Sequence, residues 1–249
     1  MRIIPCLAIC AVVTIFALPA QAADPGERYN ACMNLARLDA QKGVEEAIAW
    51  RKSGGAAAAD HCLATALVAR GDDAEGAQLL QELASEDGAP ATRAKLYGQA
   101  GRAWLSAGDD RKAWGALTDG LALDPESTDL LVDRAIANAD LGLSFEAIDD
   151  LNRAIDLAPG RVDALVMRAS AWRKLGSLDL AEDDANRALA AAPQNVDALL
   201  ERGNLNHLRG RAAKAREDWL AVMRLDPEGP SGESARKNLQ KMDAGGKVK

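Results

Sequence analysis

Cys32 and Cys62 are the side chains of this sequence best suited to covalent chemistry, and His61 adjoins the second of them. A neighbouring histidine suggests an activated thiolate. Consecutive residues on a helix project about 100° apart, however, so His61 is badly placed to take a proton from Cys62. No third group is present to orient it, and two such ligands make too few for a metal site. His61 therefore reads as an ordinary helix-surface histidine. No Cys-x-x-Cys is present, and a redox cysteine would need an exposed thiolate of low pKa. The favoured reading is a structural disulfide. A pair of buried free thiols and a reactive, redox-active cysteine are the alternatives.

A second set of reactive types is spread along the chain at equal steps. Arg134, Arg168 and Arg202 recur every 34 residues, and Asp150, Asp184 and Asp218 keep the same step. Three arginines alone would suggest an anion-binding ladder. Both signs recurring in phase favours pairing of each Arg with the Asp of its own unit, worth about 0–1 kcal/mol where the pair is partly exposed. No glycine-rich phosphate loop, serine elbow or acid/base carboxylate pair is found. No cofactor is expected, and the chain reads as non-enzymatic.

These residues are positioned by a repeat. Pro125, Pro159, Pro193 and Pro227 are spaced by 34, as are Ala113, Ala147, Ala181 and Ala215, and Gly108, Gly142, Gly176 and Gly210. Three markers in phase over four copies define a repeat architecture. Apolar residues fall at helical spacing on both sides of each glycine, as in Leu165, Ala169, Trp172 and Leu175, then Leu178, Ala181, Ala185 and Ala188. Each copy is thus two antiparallel helices, with glycine in the turn and proline ending the second helix. The fold class is all-α, an α-solenoid of antiparallel helix pairs.

The pattern resembles the tetratricopeptide repeat, a 34-residue helix pair with small residues at its eighth and twentieth positions and proline at its thirty-second. Four copies are framed as 94–127, 128–161, 162–195 and 196–229, within a segment 91–229. Their eighth positions are Gly101, Ala135, Ala169 and Gly203. The eleventh, usually aromatic, is Trp104 and Trp172 but Asn138 and Asn206 in alternate copies, which predicts looser packing there. Trp50, Trp114 and Trp219 are expected in the core.

Upstream, Cys32/Cys62, Ala36/Ala66, Leu38/Val68 and Ala47/Ala77 repeat at a step of 30. Residues 23–90 therefore read as two degenerate helix pairs, 27–56 and 57–90, whose cysteines would staple one to the next and stabilise them by roughly 3–4 kcal/mol. Residues 230–243 read as a polar capping helix covering the last repeat, and 244–249 as a disordered tail.

The resemblance implies a binding groove along the first helix of each repeat. Its positions here are Lys95 and Arg102; Asp129, Val132, Ile136 and Asp140; Val166, Ser170, Arg173 and Lys174; and Leu200, Asn204 and His207. The Lys/Asn clamp with which chaperone-binding members hold a C-terminal carboxylate is absent. An apolar floor of Val132, Ile136, Val166 and Leu200 with charged rims suits a protein or peptide partner. A self-assembling structural solenoid and a cysteine-dependent redox protein are the alternatives to a binding module.

Composition and address agree with this reading. Of 249 residues 27% are charged and the net charge is −7, which disfavours a nucleic-acid partner. With 48% apolar residues the chain is not of a disordered class. Residues 1–22 read as a secretory signal peptide: Arg2, an apolar run from Ile3 to Leu18, then Ala20-Gln21-Ala22 as cleavage site. The expected product is periplasmic or secreted, has no membrane span, and keeps two cysteines in an oxidising compartment.

Overall fold

The computed structural model describes residues 24–86 and 88–245. The expected signal peptide and the final residues 246–249 lie outside them.

Thirteen helices and no strand make up the described residues. The first four are α1 (Pro25–Leu38), α2 (Ala40–Lys52), α3 (Ala56–Arg70) and α4 (Asp73–Ser85). Then follow α5 (Pro90–Ser106), α6 (Asp110–Leu123), α7 (Thr128–Asp140), α8 (Ser144–Leu157), α9 (Val162–Lys174), α10 (Leu178–Ala191), α11 (Val196–Leu208) and α12 (Ala212–Leu225). The last, α13 (Pro230–Gly245), runs two residues past the expected end at 243. None is long and apolar enough to cross a membrane.

Local chemistry sets each boundary. Gly108, Gly142, Gly176 and Gly210 end their turns with φ between +71° and +79°, a region that L side chains avoid. At the other end of each pair the residue before proline has left the helical region: Asp124, Ala158 and Ala192 have φ near −139° and ψ of 81–85°. The side chains of Asp39, Asp109, Ser127 and Asn195 each accept one free backbone N–H of the first turn, those of Lys42, Lys112, Leu130 and Ala198 in α2, α6, α7 and α11.

Each helix packs on the next, and the odd-numbered helices also meet directly at α1–α3, α5–α7, α9–α11 and α11–α13. The small residues make this possible. Ala113, Ala147, Ala181 and Ala215 are all buried. A Cβ at Gly203 would stand 2.6 Å from the indole of Trp219, so glycine is what admits that ring between α11 and α12. The main core runs from Ala64 to Leu239, while Cys32, Val44, Trp50, Cys62 and Leu67 form a separate cluster at the amino-terminal end. Helix α13 closes the far end by burying Ala235 and Leu239.

Trp50 and Trp219 are in the core, but Trp114 is 42% exposed, because it falls on the outer side of α6 between the buried Ala113 and Ala116. Asn138 and Asn206 do not loosen their repeats. Both are buried and donate to Asp150 and Asp218 at 3.1 and 3.0 Å, replacing aromatic bulk by a polar contact to the buried carboxylate. Asn206 Oδ1 also accepts from Arg211 at 3.4 Å, whereas the buried Asn138 Oδ1 has no partner among the described residues.

Candidate functional site

The recurring arginines and aspartates form one motif three times. Arg134 Nε and Nη2 donate to Asp150 at 2.9 and 2.6 Å, Arg168 to Asp184 at 2.8 and 2.6 Å, and Arg202 to Asp218 at 3.1 and 2.6 Å. The three carboxylates are buried and the guanidinium groups are partly so. Hydrogen bonding to the carboxylate holds Arg168 and Arg202 above the ordinary arginine range. Arg134 and Arg168 also reach back to Thr118 and Asn152 of the preceding repeat, at 3.3 and 2.7 Å. These pairs are cross-ties within the stack. They leave no ladder open to an anion.

The other end uses different links. Cys32 and Cys62 have Sγ atoms 1.96 Å apart, joining α1 to α3. One position away, His61 is not a surface histidine: its half-buried ring lies against Tyr29, with centroids 5.9 Å apart. Tyr29 Oη is 2.7 Å from His61 Nδ1, and His61 Nε2 is 2.8 Å from Gln99 Oε1. With Tyr29 donating to Nδ1, Nε2–H donates to Gln99, and one imidazole connects α1, α3 and α5. The cysteine pairing is a partial signal for this relay, since Tyr29 lies one turn before Cys32 and His61 lies beside Cys62. Gln99 carries no such signal.

The expected groove residues lie on the odd-numbered helices but are not equally available. Lys95, Arg102, Asp129, Asp140, Lys174 and His207 are exposed; Ile136, Val166, Ser170, Arg173, Leu200 and Asn204 are half-buried. Val132 is only 3% exposed and belongs to the core, so it is no part of a groove floor. Val166 and Leu200 pack along the edge of the same core. Two polar members are committed to neighbours: Arg173 pairs with the buried Glu201, and Asn204 Oδ1 accepts from Trp219 Nε1 and Asn238 Nδ2 at 3.2 and 2.9 Å.

Open recesses follow this face. One of 170 Å³ between α7 and α9 brings together Ile136, Asp140, Ser170 and Lys174. Another, of 340 Å³ where α5 meets α7, gathers Lys95, Arg102 and Asp129. A third, also of 340 Å³, gathers Arg173, Asn204 and His207 beside α13. Two more, of 320 and 410 Å³, lie between α1, α3 and α5. Their lining includes Met33, Arg37, Tyr29, His61 and Gln99, none of them expected as groove residues.

The tetratricopeptide repeat family matches residues 132–196 and 166–230, two overlapping windows across α7 to α12. Residues 132–230 carry tetratricopeptide repeats. No curated protein matches the chain. Among solved structures, the chain is similar to PilF from Pseudomonas aeruginosa, at 14% identity and TM-score 0.65, over 86% of this chain and 99% of that one. It is also similar to MamA from Desulfovibrio magneticus RS-1, at 19% identity and TM-score 0.59, over 70% and 97%. YrrB, described as a tetratricopeptide protein with an unusual peptide-binding site, aligns at 19% identity and TM-score 0.55, over 76% and 96%. These likenesses establish the fold.

Proposed function

We propose that this tetratricopeptide array is a non-catalytic binding module of the cell envelope, holding a segment of a partner protein along its odd-numbered helices. The observation that carries this reading is the series of open recesses on one face of a stack whose reactive side chains are otherwise engaged. The recurring arginines and aspartates are tied to each other and the two sulfurs are paired. YrrB, which shares this fold, is described as having a peptide-binding site. A preformed surface loses little freedom on association, so modest contacts suffice for affinity. The envelope address rests on the secretory leader read in residues 1–22 and on a cysteine pair suited to an oxidising compartment.

The test is crosslinking of the exported chain to its partner in the periplasm, followed by variants in the α7–α9 recess. Ser170→Leu fills that recess from a half-buried position, and Ile136→Glu puts a charge on its wall. Each is expected to reduce crosslinking with the helical signal unchanged. Undiminished capture by both overturns the assignment of this face. Val132→Glu is unsuitable, since it would place a charge in the core.

A further inference from the structure

The odd-helix face changes character along its length. Between α7 and α9 its recess has Asp140 on one rim and Lys174 on the other, with no preferred sign. The 320 Å³ recess between α1, α3 and α5 is different. Met33, Val68 and Leu80 give it an apolar floor, Arg37 and Arg102 stand over it, and no carboxylate lines it. In a chain of net charge −7, this local excess opposes the charge of the whole molecule.

The polar groups there are also donors with spare capacity. Arg102 gives one Nη1–H to Asp133 at 2.7 Å and remains half exposed. Arg37 is exposed and forms no ion pair among the described residues. Gln99 lines both this recess and the 410 Å³ one beside it. Its Oε1 is occupied by His61 Nε2, whose ring is anchored in turn by Tyr29, so the amide N–H groups of Gln99 are what it offers. Two guanidinium groups and an oriented amide donor around an apolar floor complement an apolar side chain flanked by acceptors.

We infer that this recess takes an acidic–apolar segment of a partner protein, with an apolar side chain against Met33 and Val68 and carboxylates on Arg37 and Arg102. The inference rests on the reading of the chain as a binding module and adds the class of partner.

The experiment uses the full disulfide-bonded chain and two fluorescein-labelled peptides, one carrying a leucine flanked by glutamates and the other the same leucine flanked by lysines. The glutamate peptide is expected to bind, more weakly as salt is raised, and the lysine peptide not to bind. Arg37→Glu with Arg102→Glu, both at exposed positions, is expected to weaken the glutamate peptide by about tenfold or more and to gain the lysine peptide. Equal binding of the two peptides, binding of neither, or indifference to the double reversal overturns the inference. Phosphatidylglycerol vesicles that bind in a reversal-sensitive way, where the glutamate peptide does not, overturn it in favour of a lipid surface. Partner crosslinking that is lost in Ser170→Leu but kept in the double reversal leaves the binding module standing and removes this recess from it.

Discussion

The two ends of this array solve one mechanical problem with different chemistry. From α7 to α12, each pair of helices is clamped by an arginine on the first and a buried aspartate on the second, repeated with nearly constant geometry. From α1 to α4 no such clamp recurs. A disulfide ties α1 to α3, and the Tyr29–His61–Gln99 chain carries the link on to α5. The recurring clamp of the regular half acts within each repeat and the disulfide of the other half acts between repeats. Each half also carries a tie of the other kind, Arg173–Glu201 between α9 and α11 and Arg28–Glu46 between α1 and α2. In a stack where each unit touches only its neighbours, stability is a sum of unit and interface contributions. The Arg–Asp clamps thus add to the first kind of contribution and the disulfide to the second. The cores divide less sharply: the cluster around the cysteines is separate, but the main one reaches back to Ala64 and Leu80, and Ala169, Ala181, Ala185 and Leu205 form a third within the regular half.

The largest expected effect breaks the ion-pair half. Asp184 is 2% exposed and receives two hydrogen bonds from Arg168 and one from Arg187. Asp184→Ala leaves a partly buried guanidinium without its partner and is expected to cost about 3–5 kcal/mol in urea unfolding. A double replacement of Arg168 and Asp184 by leucine removes both charges and is expected to restore most of that loss. If the single variant costs no more than an exposed pair, about 0–1 kcal/mol, the clamp is not what distinguishes this half.

Breaking the disulfide comes next. Cys32→Ser with Cys62→Ser is expected to cost about 2–4 kcal/mol. Its effect is confined by the one-dimensional contact pattern, so hydrogen exchange should rise in α1 to α3 and stay unchanged in α9 to α12. A uniform rise through all thirteen helices would mean that the two halves unfold as one unit and that the contrast between them has no energetic content.

The two halves also differ in how legible they are. Repeat markers at a step of 34 disclose helix pairs, turns and the Arg–Asp clamps, because the constraints that produce them are local to each unit and recur with it. Burial of a single position is harder to read. Val132 sits in the groove register but turns into the core, whereas Trp114 turns out of it, since a few tens of degrees about a helix axis decide which side of the boundary a residue takes. Asn138 and Asn206 break the aromatic pattern and so read as defects. Their partner lies twelve residues on, and only the fold shows that the amide completes a buried carboxylate's hydrogen bonds. The recess of Arg37, Gln99 and Arg102 is the least legible feature, because it draws on three repeats that share no exact period.

The smallest predicted effect sharpens the comparison by testing what the halves have in common. Gly71 in the turn between α3 and α4 has φ of +95°, and Gly142 between α7 and α8 has φ of +79°. At neither position would an added Cβ meet another atom within 4 Å, so the cost of alanine is backbone strain alone, with no packing contribution. Left-handed backbone costs an L residue about 1–2 kcal/mol, and Gly71→Ala and Gly142→Ala should each show that loss in urea unfolding. Similar values would mean that the turn is common hardware and that the halves differ only in their cross-ties. A markedly larger loss at Gly71 would place part of the amino-terminal half's stability in the turn itself, and the disulfide would then be supporting a fold that its local sequence already specifies.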